Sequence, residues 1–300
     1  VTGKLSEFAK HGKIVHIDVD PSELNKNKPA LLPIQGDVLQ ALTDLNRIID
    51  QRPSNAPPLT QDLKGWWRQI DEWRTNEPFR FSDREDAILP QYMIKRLREL
   101  LKERNMLDDT IVSTGVGQHQ MWSSQYWKFN EPYTWVNSGG LGTMGFSVPA
   151  AIGAKVGRPD KTVWAVDGDG CFQMTAQELV TASLERIPVK IAILNNSYLG
   201  MVRQWQEMFY EERYSEVYLS QDTPNYVKWA EAMGCVGIRV DDQSEVASAI
   251  DKANSINDRP VVVDFRVDAG EKVFPMVAAG QSNDDLMLHP SQNSRREFLR

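Results

Sequence analysis

Two polar clusters in the sequence have residue types that could hold a metal ion beside a phosphorylated ligand. The first is Asp167-Gly-Asp-Gly170, and the second, Asn195-Asn196, follows it after twenty-four residues. A carboxylate and an amide oxygen suit Mg²⁺ or Ca²⁺, and Mg²⁺ usually shares its coordination sphere with substrate phosphates. The glycines of the first cluster would let the backbone approach those phosphates. The clusters therefore predict a metal–diphosphate site with Asp169 and Asn196 as ligands.

Each cluster directly follows an apolar, β-rich segment, Val163–Val166 in one case and Ile191–Leu194 in the other. If these segments are neighbouring parallel strands, the polar residues emerge together at the carboxyl edge of the sheet, where such folds bind ligands. We expect a helix from about residue 176, and the N–H groups around Gly170-Cys171, to favour an anion there. Either cluster alone is also a common turn sequence. Their pairing favours the ligand site.

The elements that would position this site alternate along the chain from residue 90 onward. The pattern predicts an α/β fold with a doubly wound, mostly parallel sheet. Predicted helices span residues 91–104, 146–156, 176–184, 200–209, 226–233 and 244–254, and predicted strands span 110–113, 162–166, 189–194, 236–240 and 260–265.

A shorter α/β segment precedes this domain, with a predicted strand over 13–20 and a helix over 37–49. The stretch from Gln51 to Pro58 contains three prolines and reads as a linker, followed by a helix over 62–74 that carries Trp66, Trp67 and Trp73. We expect these tryptophans to pack against a neighbouring domain. Since Val1 lies just before a strand, we expect the sequence to be a fragment of a longer chain.

Composition excludes several classes of function. The 34 basic and 41 acidic residues give a net charge of −7, which argues against a nucleic-acid partner. Apolar runs fall short of the ~18 residues that a membrane-spanning helix needs. The two cysteines form no disulfide framework and the four histidines no zinc spacing, which is typical of a reducing compartment. We expect a cytoplasmic protein, or an organellar one if a transit peptide lies upstream.

One competing motif is Gly140-Leu-Gly-Thr-Met-Gly145, which matches the G-x-G-x-x-G pattern of nicotinamide dehydrogenases. The strand before it would cover only 134–136, and Asn137-Ser138 separate it from the glycines. The acidic residue required about twenty positions further on would be Asp160 or Asp167. The dehydrogenase interpretation is therefore the weaker one.

Gly168-Asp-Gly170 with Asn195-Asn196 resembles the thiamine-diphosphate motif of thiamine-dependent enzymes. Three further segments narrow the resemblance to the catalytic subunit of the acetohydroxyacid synthase (acetolactate synthase) family, and the similarity extends from about residue 1 to 280. They are Val116–Trp122, Ser138–Phe146 and Leu199–Trp205.

The resemblance implies a domain order in which residues 1–50 end a central FAD-binding domain and 51–80 form a linker. Residues 81–268 would form the thiamine-diphosphate domain and 269–300 a C-terminal tail. The implied cofactors are thiamine diphosphate, Mg²⁺ and a non-redox FAD. The implied reaction decarboxylates pyruvate and condenses the two-carbon unit with pyruvate or 2-ketobutyrate, early in branched-chain amino acid biosynthesis. A homodimer or tetramer, with a possible regulatory small subunit, is also implied.

Residue roles carry over from the family by position. Asp169, Asn196 and the carbonyl of Tyr198 would bind Mg²⁺. Met144 would support the bent cofactor, Met201 would flank the reaction cavity, and Trp205 would shape the pocket for the second keto acid. The remaining residues implied to surround the cofactor are Val116, Gly117, Gln118, His119, Gly142, Gly168, Gly170, Gly200 and Val202.

Asp18 and Asp37 resemble the edge of the FAD site, although Asp37 is equally suited to cap a helix. The family's activating glutamate lies in an amino-terminal domain that no segment here resembles, so we expect the isolated chain to be inactive. Pyruvate oxidase, glyoxylate carboligase and benzoylformate-type decarboxylases remain alternatives, as does a separate diphosphate-binding subunit.

Overall fold

A computed structural model describes residues 3–57, 62–75, 79–220 and 224–289 of the chain. The described residues form two compact units, one made of those up to residue 80 together with 274–289 and a larger one made of those between 81 and 273. Parts of the predicted linker (58–61 and 76–78) and of the predicted tail (290–300) lie outside the described residues. Within the described residues, no helix is both long and apolar enough to cross a membrane.

The smaller unit contains a two-stranded parallel sheet, β1 (Val15–Asp18) and β2 (Leu32–Gln35). Strand β2 was not predicted, because Pro33 lies inside it and proline usually argues against a strand interior. Helix α1 (Val38–Asp50) begins directly after Asp37, whose carboxylate accepts hydrogen bonds from the N–H groups of Leu39 (2.9 Å) and Gln40 (3.2 Å). Asp37 is therefore a helix cap. Helix α2 spans Lys64–Thr75.

The three tryptophans of α2, which we expected to pack against a neighbouring domain, are not buried. Trp66 and Trp67 are about half exposed, and Trp73 is also exposed. Trp66 and Trp73 make an edge-to-face contact with ring centroids 5.4 Å apart. Trp66 and Trp73 therefore pack on each other, and packing against a further domain stays a prediction.

The larger unit is built on a six-stranded, fully parallel sheet of strand order β4-β3-β5-β6-β8-β7. This arrangement confirms the predicted doubly wound α/β fold. The strands are β3 (Thr110–Thr114), β4 (Trp135–Asn137), β5 (Thr162–Gly168), β6 (Lys190–Asn195), β7 (Val236–Val240) and β8 (Val261–Arg266).

The order of the strands creates a crevice at one edge of the sheet. From β3 the chain moves outward to β4 and then returns to form β5 on the opposite side of β3. Connections that diverge from adjacent strands leave a gap at the carboxyl ends, which is the usual ligand position in such sheets. The segments after β3 and β5 border this gap.

Helices cover both faces of the sheet and bury two apolar clusters. In α3, Met93, Leu97 and Leu100 recur at helical spacing and are all buried. The helices are α3 (Pro90–Glu103), α4 (Gln118–Tyr126), α5 (Ser147–Gly157), α6 (Asp169–Thr175), α7 (Glu178–Leu184), α8 (Gly200–Phe209), α9 (Tyr226–Ala232) and α10 (Val246–Ser255).

Two helical features differ from the sequence prediction. Helix α4 was missed because it buries polar residues, among them Gln118 and His119, and shows no apolar stripe. The helix expected from residue 176 is preceded by another, α6, which begins at Asp169 itself. The glycines favoured a turn there, whereas an acidic residue in the first turn of a helix is also favourable.

The stability of the larger unit should depend on the buried side chains of α3. Leu97→Ala removes a fully buried side chain and should lower the free energy of unfolding by about 2–5 kcal/mol, because it leaves a cavity. Urea denaturation followed by circular dichroism would measure the loss. Lys95→Ala on the exposed side of the same helix should change stability by less than about 0.5 kcal/mol. Equal losses for the two variants would contradict this assignment of the buried face.

Candidate functional site

The crevice at the carboxyl ends of β3, β5 and β6 is a cleft with about 550 Å³ of open space. It contains most of the residues that the sequence and the resemblance assigned to the site. The predicted residues that line it are Val116, Gly117, Gln118, His119, Met144, Gly168, Asp169, Gly170, Asn196, Tyr198, Gly200, Met201 and Val202.

Four predicted site residues do not line this cleft. Gly142 lies in the neighbouring loop, where an added Cβ would be 3.9 Å from Val116 Cγ1. Trp205 is on α8 with its ring against Phe209, at a centroid distance of 4.7 Å. Asp18 and Asp37 belong to the smaller unit.

Sequence reasoning missed five lining residues. Cys171 and Leu199 are next to residues that were assigned to the site, so their positions in the sequence could have identified them. Trp122 lies on the unpredicted helix α4, Leu194 ends a predicted strand, and Val267 lies two residues beyond the predicted strand 260–265. Together they make much of the cleft wall apolar.

Asp169 and Asn196 face this cleft from adjacent strand ends, since Gly168 of β5 pairs with Leu194 of β6. The Asp169 carboxylate accepts a hydrogen bond from Gly170 N at 3.0 Å. Asn196 Oδ1 accepts one from Tyr198 N, also at 3.0 Å. A carbonyl oxygen has two lone pairs, so Asn196 Oδ1 retains capacity for a second partner.

Burial controls the electrostatics of Asp169. The residue is only 2% exposed, and desolvation raises the pKa of its carboxyl from 3.8 to about 7, against the lowering effect of backbone hydrogen bonds from Gly170 and Ser197. A bound divalent cation would reverse this cost by favouring the ionised form. The donor set of a buried carboxylate, an amide oxygen and a backbone carbonyl fits Mg²⁺.

A second cluster of ligand-type side chains includes two residues that line the cleft, His119 and Cys171. His119, Asp167 and Cys171 are all buried, and their ligand atoms lie within 4.8 Å of one another. Gly115 borders this cluster closely, since a Cβ added there would be 2.5 Å from Cys171 Sγ and 2.9 Å from His119 Nε2. Position 115 therefore requires glycine.

The charges in this second cluster are suppressed by burial. Desolvation lowers the pKa of His119 to about 3 and raises the pKa of Asp167 to about 7. His119 is therefore neutral near pH 7; its Nε2 lies 3.4 Å from Asp167 Oδ1 without forming a hydrogen bond. Ser147 donates its hydroxyl to the other oxygen of Asp167.

The sequence matches two parts of one enzyme family. Residues 115–265 match the C-terminal TPP binding domain of thiamine pyrophosphate enzymes, and residues 1–45 match their central domain. The chain belongs to the thiamine pyrophosphate enzyme family. The glycine-rich loop 140–145 is therefore no dinucleotide fingerprint. It ends two residues before helix α5, and β4 is only three residues long.

Within this family the chain is similar to acetolactate synthases, as the sequence motifs predicted. It is 48% identical over 292 residues to acetolactate synthase of Mycobacterium leprae, covering 95% of this chain and 45% of that protein. It is 39% identical over 295 residues to the isozyme 3 large subunit of Escherichia coli, covering 98% and 50%. The chloroplastic acetolactate synthase 1 of Nicotiana tabacum is 43% identical over 293 residues, with 96% and 43% covered. The chain thus spans about half the length of the curated relatives it matches.

Replacement of Asp169 should separate ligand binding from stability. In metal-free protein at about pH 8, Asp169→Asn should raise the free energy of unfolding by about 1–3 kcal/mol, because an uncharged amide costs less to bury than a carboxylate. With Mg²⁺ and thiamine diphosphate present, the unmodified protein should gain stability and the variant should not.

The same variant predicts a pH dependence. The pKa of Asp169 is 3.8 in the unfolded reference and about 7 when folded. Between these values only the folded state holds the proton, so the stability of the unmodified protein falls as pH rises through this window. The advantage of Asp169→Asn should thus be small near pH 4 and complete above about pH 7. Urea titrations at both pH values, with the exposed Asp108→Asn as control, would test this; an advantage independent of pH would refute it.

Proposed function

We propose that this chain is the thiamine-diphosphate-binding part of an acetolactate synthase catalytic subunit. The observation that carries the proposal is the cleft at the carboxyl ends of β3 and β5, which Asp169 and Asn196 both line. The similarity to acetolactate synthases along nearly the whole chain supports the choice of reaction. The proposed substrates are pyruvate and, as second keto acid, pyruvate or 2-ketobutyrate.

Asp169, Asn196 and the backbone carbonyl of Tyr198 would hold Mg²⁺, which in turn would bind the diphosphate. The segment that carries Tyr198 is braced by hydrogen bonds on both sides. Leu199 N donates to Val217 O, and Leu219 N donates to Ser197 O, each at 2.8 Å. The loop that supplies two of the three proposed ligands is therefore held by a neighbouring strand-like segment.

When bound, thiamine diphosphate supplies an electron sink that allows pyruvate to lose carbon dioxide and pass its two-carbon unit to a second 2-keto acid. The chain's own residues would bind and shield this chemistry. Gln118, His119, Gly168 and Gly170 would surround the diphosphate end of the cleft. Met144, Met201 and Val202 would present apolar surface at the reacting end, which excludes water and strengthens polar interactions there.

The smaller unit offers a weaker case for the proposed FAD. Asp18 is the last residue of β1 and Asp37 follows β2, but the Asp37 carboxylate is engaged as a helix cap. Asp18 Oδ1 accepts from Asp20 N at 2.9 Å, and its Oδ2 lies 4.0 Å from His16 Nε2. Asp18 is the better candidate for a ribose hydroxyl. A homodimer or tetramer, a regulatory small subunit and a cytoplasmic or organellar location are proposed on the resemblance alone.

The complete natural polypeptide that carries this sequence should form acetolactate from pyruvate when supplied with thiamine diphosphate, Mg²⁺ and FAD. The assay should measure acetolactate, acetaldehyde and hydrogen peroxide in parallel. Acetaldehyde as main product would indicate a decarboxylase, and peroxide would indicate a pyruvate oxidase. Either result would overturn the proposed reaction while leaving the cofactor site in place.

Trp205 should control the choice of second substrate, although it stands back from the cleft. Trp205→Leu removes the ring that packs on Phe209. The preference for 2-ketobutyrate over pyruvate should fall by about tenfold, which is the size of effect expected when a few apolar contacts are lost. Competition between the two keto acids measures the preference as a product ratio. Phe209→Leu, which keeps Trp205, is the matched control. An unchanged product ratio in Trp205→Leu would exclude Trp205 from the specificity pocket.

A further inference from the structure

The loop of residues 138–146 carries Met144 into the cleft, yet little of the loop is packed. Residues 139–143 are exposed, and Leu141 is 91% exposed. The start of the loop is closed by Thr143 N donating to Ser138 Oγ at 3.0 Å. The position of Met144 must therefore be set mainly by what holds the following residue, Gly145, which is buried.

Both polar groups of Gly145 are bonded to side chains of helix α6. Gly145 N donates to Cys171 Sγ at 3.1 Å, and Thr175 Oγ1 donates to Gly145 O at 2.7 Å. Cys171 and Thr175 are one helical turn apart and so lie on the same face of α6. The fit is close: with φ at +86°, a Cβ added to Gly145 would be 2.9 Å from Thr175 Cγ2.

Cys171 also connects this loop to the opposite wall of the cleft. Its sulfur accepts a second hydrogen bond from Val116 N at 3.3 Å, and its thiol donates to Val116 O at 3.7 Å. Cys171 therefore joins the loop after β3 and the loop after β4 to helix α6, which follows β5. Each of these segments contributes residues to the cleft.

We propose that Cys171 and Thr175 are positioning residues that clamp the Gly145 backbone to helix α6 and thereby fix Met144 beneath the cofactor. This inference rests on thiamine diphosphate binding in the cleft, as in the proposed function. Neither residue needs to touch the cofactor through the atoms that form the clamp. Their effect would be on how the two rings of the cofactor are held, rather than on whether it binds.

The test uses the complete natural polypeptide loaded with thiamine diphosphate and Mg²⁺. The measured quantity is the rate at which the C2 hydrogen of the bound cofactor exchanges with solvent deuterium, determined by acid quench and proton NMR. Thr175→Val keeps the side-chain shape and loses the hydroxyl donor, so C2 exchange should slow by about tenfold, the equivalent of one lost hydrogen bond. The dissociation constant of the cofactor should change by less than about threefold.

Thr175→Ser keeps the hydroxyl donor, so its exchange rate should be within about twofold of that of the unmodified protein. Thr181→Val, at an exposed position on α7, is the matched control and should have no effect. Cys171→Ala removes the acceptor of Gly145 N and should slow exchange as Thr175→Val does. If Thr175→Val does not fold, the exchange rate of Cys171→Ala tests the proposal instead.

An exchange rate in Thr175→Val or Cys171→Ala equal to that of the unmodified protein would overturn the clamp. So would a loss of cofactor affinity that matches the loss of thermal stability, since that pattern indicates a purely structural role. If the unmodified protein exchanges C2 hydrogen but forms no acetolactate, only the proposed reaction fails. If it binds no thiamine diphosphate, both proposals fail.

Discussion

The site depends on the cost of keeping a carboxylate at the buried end of a parallel strand. Asp169 is almost fully buried, and burial raises its pKa to about 7. Hydrogen bonds from two backbone N–H groups and the charge of Arg266 offset part of this cost. A divalent cation bound beside the carboxylate would offset more of it, because an opposite charge favours the ionised form. The apolar residues of the cleft walls exclude water and so add to the desolvation of the Asp169 carboxylate.

Polar residues beneath the ligand loops hold them in shape. Asp167 is bonded to Ser147 and to its own neighbour Gly168, and Asn195 donates to Asp264 at 2.8 Å while accepting from Ser197 N. Asp167 precedes Asp169 by two residues, and Asn195 directly precedes Asn196. Buried polar groups of this kind are stable only when their partners are in place. Their networks thus fix the conformation of the loops above them.

Much of the fold could be predicted because its signals are local. Apolar β-rich runs and amphipathic helices alternate from residue 90, and the strands ending near Gly168 and Asn195 are indeed neighbours in the sheet. What could not be predicted depends on tertiary contacts. Helix α4 buries the polar residues Gln118 and His119, which line the cleft. It therefore lacks the apolar periodicity by which a helix is identified in a sequence. Gly142 and Trp205 were placed in the site by resemblance; they do not line the cleft, and their roles stay predictions.

The alternation of side chains along β5 explains why Asp167 supports the loop while Asp169, two residues later, lines the cleft. Side chains alternate between the two faces of a strand, so Val166 packs in one apolar cluster while Ala165 packs in the other. Asp167 falls on the same face as Ala165 and is thereby directed toward Ser147 of α5 rather than into the cleft. Asp169 follows after the strand has ended, where the chain turns into α6 and alternation no longer applies. A shift of one residue in the pairing of β5 with β6 would exchange the buried faces of the strand and remove Asp167 from its partners. The two apolar clusters thus specify the register, and the register in turn places the carboxylate.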